Sequence, residues 1–309
     1  MSPGPTPTFF DDPAAFLAEA GQHLATDPVL NTILATVAER AAAEHAAGIA
    51  PDPAAPYRWW AVLRDGDDVV GVAMRTAPFA PFPVFVLPMP DSAAVALARA
   101  LHDRGEPVGG VNGARPAADT CAAELAALTG GEVRGELHTR LHRLDRVVPP
   151  APARGTLRPA APGEVDLVVE WFAAFSAAAD EQAGREPGSM HHMVATREGL
   201  QRRVADEEVW LWVDEAGTPV HLTAHHPASY GAARIAPVYT PPEHRGRGYA
   251  GNTVAALSQR ILDAGDVPCL YTDQANPTSN KLYTALGYRP VVDMVDLLLT
   301  GDGRRAAAP

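Results

Sequence analysis

Val238-Tyr239-Thr240-Pro241-Pro242-Glu243-His244-Arg245-Gly246-Arg247-Gly248-Tyr249-Ala250 is an apolar run that stops at two prolines and resumes as a glycine-punctuated segment with helical spacing. Pro242 has no N–H to give to a sheet ladder, so a strand ends there. Gly246 and Gly248 permit positive φ and close backbone approach. A helix beginning near Tyr249 turns its unpaired first-turn amides toward the loop, which makes an anion cradle sized for a pyrophosphate.

Gly246, Gly248 and Gly251 also satisfy G-x-G-x-x-G, with Asp273 further on. As a dinucleotide fingerprint the match is weak, because only roughly 60 residues follow it, too little chain for a doubly wound sheet. A second block speaks to a different ligand. After the apolar strand Val267 to Tyr271 comes Asn276-Pro277-Thr278-Ser279-Asn280-Lys281-Leu282-Tyr283-Thr284-Ala285-Leu286-Gly287-Tyr288. Asn276 suits an N-cap, Pro277 the first helical position and Gly287 the left-handed stop. At helical spacing Asn276, Asn280 and Tyr283 share a stripe, while Leu282 and Leu286 lie elsewhere and can face a core.

These two blocks resemble the acetyl-CoA signature of the GNAT acetyltransferase superfamily. Its Arg/Gln-x-x-Gly-x-Gly/Ala core is carried by Arg245, Gly248 and Ala250. The resemblance implies that the loop Arg245, Gly246, Arg247, Gly248, Tyr249 and Ala250 holds the CoA pyrophosphate, and that the backbone of Val238, Tyr239 and Thr240 pairs with pantetheine. It also implies that the helix bearing Asn276, Ser279, Asn280 and Tyr283 lies beside the thioester, with Tyr283 protonating the departing thiolate. Acetyl-CoA is then the cosubstrate, and no metal is called for.

Composition bounds the rest. The chain has 309 residues, 47% of them hydrophobic, enough for two domains of ordinary size. No apolar run approaches the roughly 20 residues that cross a bilayer, and Met1 to Asp12 has neither a basic patch nor an apolar core of a secretory signal. A cytoplasmic protein is expected. The net charge of −12 argues against a nucleic-acid surface, because phosphate binding needs clustered cations. Cys121 and Cys269 read as small core residues, and no metal-type cysteine spacing occurs. Lys281 is the only lysine, an Arg-for-Lys bias that speaks of coding composition more than of function.

Val148-Pro149-Pro150-Ala151-Pro152-Ala153-Arg154 reads as a semi-extended linker, and the two sides of it repeat each other. Tyr57 to Leu63, a turn at Asp65-Gly66-Asp67 and Val69 to Met74 form one hairpin pattern. Val209 to Val213, a turn at Glu215-Ala216-Gly217 and Pro219 to Ala224 form the other. Val86-Leu87-Pro88-Met89-Pro90 then parallels Val238-Tyr239-Thr240-Pro241-Pro242 at an offset of about 150 residues. In the first copy Asp91-Ser92-Ala93-Ala94 stands where the Arg-Gly loop should be, a carboxylate in place of a pyrophosphate. The expected architecture is α/β with two tandem GNAT-like domains, each a mixed, mostly antiparallel sheet flanked by helices. The boundaries are 8–147 for a degenerate copy, 148–155 for the linker, 156–300 for the catalytic domain with the acetyl-CoA cleft, and 301–309 for a tail.

The acceptor side is less legible. Gly163 to Ala179 and Arg197 to Ala205 read as helices that line it. An ammonium acceptor must lose a proton before attacking a thioester, and histidine titrates in the useful range, so His225 and His192 are candidate bases. Strand alternation puts His221 on the same face as His225 and His226 on the other. No acid sits on Arg234-Ile235-Ala236-Pro237, where some members of the family carry a glutamate, and Glu170, Asp180 and Glu181 are not separated by sequence. The function expected is N-acetyl transfer from acetyl-CoA to the amine of a small molecule or peptide. A mycothiol synthase-like acetyltransferase, a tRNA-dependent peptidyl transferase disfavoured by the acidic charge, and a non-catalytic acyl-CoA sensor or scaffold are the alternatives. Oligomeric state leaves no mark in the sequence.

Overall fold

The computed structural model describes residues 4–50, 56–182 and 196–300. The order of elements occurs twice. The first pass is β1 (Thr6–Phe10), α1 (Pro13–Thr26), α2 (Pro28–Ala46), β2 (Trp59–Asp65), β3 (Asp68–Arg75), β4 (Val84–Val86), α3 (Asp91–Asp103), β5 (Gly110–Ala114), α4 (Ala117–Thr129) and β6 (Glu132–Arg143). The second is β7 (Thr156–Pro159), α5 (Val165–Gln182), α6 (Arg197–Ala205), β8 (Val209–Val213), β9 (Pro219–His225), β10 (Ala232–Tyr239), α7 (Tyr249–Asp263), β11 (Val267–Asp273), α8 (Pro277–Ala285) and β12 (Arg289–Thr300). The tandem α/β architecture with largely antiparallel sheets is therefore present. No described helix is long and apolar enough to cross a membrane.

Two compact units result, of which the first is made of two separate segments: Met1–Thr139 gathers with Val292–Pro309, and Arg140–Val291 forms the other. In the first unit β1, β2, β3 and β4 pair antiparallel, β4 pairs β5 in parallel, and β12 joins the far edge of β5 with Met294 opposite Ala114. In the second unit β7, β8, β9 and β10 pair antiparallel and β10 pairs β11 in parallel. The end of β6 enters this unit, where the Leu144 amide donates to the Pro268 carbonyl.

Local chemistry explains the helix starts. Asp12 accepts from the Ala14 amide at 2.9 Å with Pro13 opening α1, and Asp27 accepts from the Leu30 amide at 3.1 Å with Pro28 opening α2. The first unit's core gathers Leu97 and Leu101 of α3, Leu125 of α4 and the sheet residues Trp59, Val86 and Val111. Here the pairing of β4 with β5 runs the full length of β4, from Val84 opposite Val111 to Val86 opposite Gly113. Gly113 has φ +147, and a Cβ there would fall 1.9 Å from the Val86 carbonyl oxygen, so only glycine lets the two strands close. Asp91 then opens α3 and accepts from the Thr120 hydroxyl at 3.1 Å. The first unit thus has a zipped ladder and a carboxylate where the second has its glycine loop.

One buried charge organises the loop between β3 and β4. Arg75 is 1% exposed. Its guanidinium pairs with Glu106 at 3.0 Å, donates to the carbonyls of Phe82 at 2.9 Å and Pro107 at 2.6 Å, and stacks 3.6 Å from the Tyr57 ring centroid. Trp59 Nε1 also donates to Glu106 at 3.0 Å. Burial lowers the Arg75 pKa and Glu106 opposes that shift. Replacing Arg75 with Met removes the donor to the carbonyls of Phe82 and Pro107, while Glu106 keeps Arg104 at 2.7 Å and Trp59 Nε1 at 3.0 Å, and the expected cost is about 1 to 3 kcal/mol, read as a lower urea midpoint. A wild-type midpoint would refute this role.

Candidate active site

The site begins where a ladder stops. β10 and β11 pair at Ala232–Val267, Ala233–Pro268 and Arg234–Cys269, and not beyond among the described residues, although the strands run on to Tyr239 and Asp273. On its other edge β10 stays with β9, through a bulge between Ile235 and Val238, to Val238–Thr223 and Tyr239–Leu222. A bulge bends and twists the strand that carries it. The β11 side of β10 from Ile235 onward is left as an open backbone edge, a ready partner for an extended amide-bearing chain.

That edge leads into the glycine loop. After one 3₁₀ turn at Pro242–His244, Gly246 takes φ +76 and Gly248 takes φ +83 as the cap of α7. No acceptor serves the backbone N–H of Gly246, Arg247 or Gly248 among the described residues, and Tyr249, Ala250 and Gly251 are the first turn of α7, whose amides have no intrahelical partner. A Cβ on Gly246 would meet nothing within 4 Å, so the outside of the loop is open. Arg245 Nε folds back onto the Thr240 carbonyl at 3.1 Å and Arg247 Nη2 onto the Glu243 carbonyl at 3.1 Å, which keeps both charges beside the amides. Asn252 Nδ2 ties the Gly248 carbonyl, at 3.0 Å, to the Ala151 carbonyl of the proline-rich segment, at 2.9 Å. Tyr249 turns inward against Trp212, ring centroids 6.5 Å apart, so it offers the loop its amide and not its ring.

α8 follows β11. Asn276 caps it by accepting from the Ser279 amide at 3.1 Å, and Gly287 ends it at φ +99. Asn280 Nδ2 donates to the Asp273 carbonyl at 3.1 Å, which fastens the helix to the open end of β11. Tyr283 is 7% exposed and packs edge-on to Tyr288, centroids 5.9 Å apart, while the Tyr288 hydroxyl is held by Ser258 at 2.7 Å. Burial alone raises the Tyr283 pKa, with no hydrogen bond or charge contributing. Its hydroxyl is therefore a protonated donor at neutral pH.

Residues 216–295, from the β8–β9 turn into β12, match the family described as FR47-like protein. Among solved structures, an acetyltransferase of the GNAT family from Colwellia psychrerythraea is similar over 96% of this chain and 100% of its own, at 11% identity and a TM-score of 0.53. A GCN5-related N-acetyltransferase from Sphaerobacter thermophilus covers 94% of each chain at 19% identity and a TM-score of 0.53. A Drosophila protein covers 95% of this chain and 98% of its own at 14% identity and a TM-score of 0.61. The chain has the GNAT fold. No curated protein matches the sequence, and identities this low speak for the fold and not for a substrate.

Within this GNAT unit the two faces of the sheet differ. Val254, Leu257 and Ile261 of α7 pack on Trp210, Ala233, Ile235 and Leu270. Val168, Trp171 and Phe172 of α5 and Leu200 of α6 pack on Leu211, Leu222 and Tyr239 on the other face. His225 pairs with Ile235 and so lies on the α7 face, its Nδ1 3.2 Å from the His226 carbonyl. His191 and His192 lie outside the described residues. Of the acids the sequence left together, Glu170 and Glu181 are exposed and Asp180 is 1% exposed, at the end of the α5 stripe that runs through Phe172 and Ser176.

His221 is a link that sequence alternation did not reveal. Fully buried, it joins Thr223 Oγ1 at 2.6 Å to Thr240 Oγ1 at 2.7 Å, so it props the residue from which the GNAT loop departs. Burial pushes its pKa from 6.5 down to about 3. A folded pKa below the unfolded one means that the unfolded chain takes up the proton first, so this group's stability is complete above pH 6.5 and is lost as pH falls toward 3. His221→Gln, whose amide can still donate and accept, is expected to shrink the fall in urea midpoint between pH 7 and pH 4. An identical fall in both proteins would contradict the buried neutral imidazole.

Proposed function

We propose that the protein is an acetyl-CoA-dependent N-acetyltransferase with one catalytic centre, in the second unit, acting in the cytoplasm on the amine of a small molecule or peptide. The observation that carries this reading is the ladder that opens after Arg234 and delivers its free edge to six consecutive amides, Gly246 to Gly251, with no acceptor of their own among the described residues. Together they suit an extended amide-bearing arm ending in a pyrophosphate.

In this reading the edge of Val238, Tyr239 and Thr240 pairs with the pantetheine arm, and an edge amide polarises the thioester carbonyl. Ser279 and Asn280 sit on the α8 side of the arm. An acceptor nitrogen attacks the carbonyl carbon directly, and no acyl-enzyme forms. As the C–S bond breaks, the Tyr283 hydroxyl gives its proton to the sulfur. The proton released from nitrogen goes to a base of this chain, for which the sequence names His225 and His192 and the fold adds the buried carboxylate of Asp180.

Gly248→Asp tests the cradle. Asp tolerates positive φ, and its Cβ has room, 3.6 Å from Asn252 Nδ2 and 3.7 Å from Ala153, but its charge faces the pyrophosphate. Calorimetry on the full chain is expected to show one acetyl-CoA per wild-type chain and none for the variant, with a melting temperature little changed. Residual binding by the variant would place a second site elsewhere and sink the single-centre reading.

Tyr283→Phe tests the chemistry. The ring still packs against Tyr288, so acetyl-CoA affinity should hold, while turnover falls roughly 10²- to 10⁴-fold, the usual worth of a positioned general acid. Full turnover by the variant, under conditions where the chemical step limits the rate, would make Tyr283 a packing residue.

A further inference from the structure

The proline-rich segment that follows β6 lies along the first turn of α7 and is held at both ends. At its start the Val148 amide donates to the Leu286 carbonyl at 2.9 Å, and at its close the Arg154 carbonyl accepts from Trp212 Nε1 at 2.9 Å. Between these points Pro150 Cβ is 3.8 Å from where a Cβ on Gly251 would stand, and Ala153 Cβ is 3.7 Å from where one on Gly248 would stand. Asn252 clasps the segment to the helix. Its side-chain neighbours are two carbonyls, of Ala151 at 2.9 Å and Gly248 at 3.0 Å, so the amide nitrogen faces them and both of its N–H bonds are used.

The Gly248 carbonyl is thus bonded twice, by this nitrogen and by the Asn252 backbone amide at 3.1 Å, which closes the first turn of α7. A carbonyl oxygen has two lone pairs, and both are engaged. That carbonyl shares a planar trans peptide with the Tyr249 N–H, and the two point in opposite directions. With the oxygen fixed down the helix, the N–H is fixed toward the glycine loop. Take the side chain away and the plane is held by one backbone bond at a helix end, where bonds fray, next to Gly248 at φ +83, which has no Cβ to limit rotation.

Resting on the transferase reading, we propose that Asn252 is a positioning residue for the diphosphate of acetyl-CoA, using the proline-rich segment as its anchor to hold the Tyr249 amide aimed at the ligand. Prolines at 149, 150 and 152 suit the anchor, because each fixes its own φ and restricts the residue before it, which leaves the Ala151 carbonyl little freedom. A donor set in place beforehand binds an anion without the cost of ordering it on binding. Asn252 carries no charge, so it acts through the amide that it holds.

The test compares the full-length protein with Asn252→Ala, using CoA as the ligand. Alanine is the better helix former and the site is on the surface of α7, so the melting temperature should stay within a few degrees. Calorimetry should show CoA bound about fivefold to fiftyfold more weakly by the variant, most of the worth of one hydrogen bond to a charged group. With 15N-labelled tyrosine, the Tyr249 amide resonance, identified by its disappearance in Tyr249→Phe, should move downfield when CoA is added to wild type and clearly less in Asn252→Ala. The tyrosine amides remote from α7 should match between the two free proteins, which a general loosening of the fold would not allow. Unchanged CoA affinity in Asn252→Ala, or a weaker affinity with the Tyr249 resonance responding as in wild type, overturns the positioning role and leaves the cradle standing. No CoA binding by wild type removes the transferase reading and the positioning role with it.

Discussion

The parallel ladder between β10 and β11 ends at Arg234, while the antiparallel ladder between β9 and β10 continues past its bulge to Tyr239. A strand held on one edge and released on the other presents a row of unpaired amides and carbonyls in a fixed register, and inside a protein such a row must meet a partner or water. The rest of the site is arranged around that edge. The loop with Gly246 and Gly248 extends it into a cluster of amides, and α8 borders it on the β11 side through the bond from Asn280 to Asp273. His221 steadies its end through Thr240.

The first unit shows what the same order of elements does without that opening. There β4 pairs with β5 along its whole length, and Gly113 removes the one Cβ that would keep the strands apart. With the edge consumed and Asp91 at the head of α3, the unit's polar capacity is spent internally, most densely around Arg75 and Glu106. The same order of elements occurs twice and the opened ladder once.

Sequence revealed what is encoded locally. Glycines at 246, 248 and 287, prolines at 242 and 277 and the cap at Asn276 each set a backbone conformation within a few residues, and each stands where the pattern puts it. The paired hairpins and α6 were legible for the same reason, since alternation and helical spacing are short-range signals. Facts that depend on distant partners were not legible. Nothing near Asp180 separates it from Glu181, yet the fold buries one and exposes the other. Nothing near His221 says that its ring spans Thr223 and Thr240, and nothing near Tyr271 says that its buried hydroxyl has no hydrogen-bond partner among the described residues. Helices α1 and α2, rich in alanine and weakly patterned, gave little periodicity to read.

The placement of β12 bears on how the chain assembles. Its residues from Val292 belong to the first unit, where Met294 lies opposite Ala114, about 180 residues upstream, a contact of very high order. Until β12 arrives, the outer edge of β5 is an exposed strand edge, the kind of surface that recruits other chains. The first unit can build its helices and most of its sheet early, yet it must wait with that edge open through the synthesis of the whole second unit. Ribosome-bound chains would then be at greatest risk of edge-to-edge association in this interval, and a chaperone able to shield a single strand edge would matter more to this protein's yield than one that merely prevents collapse.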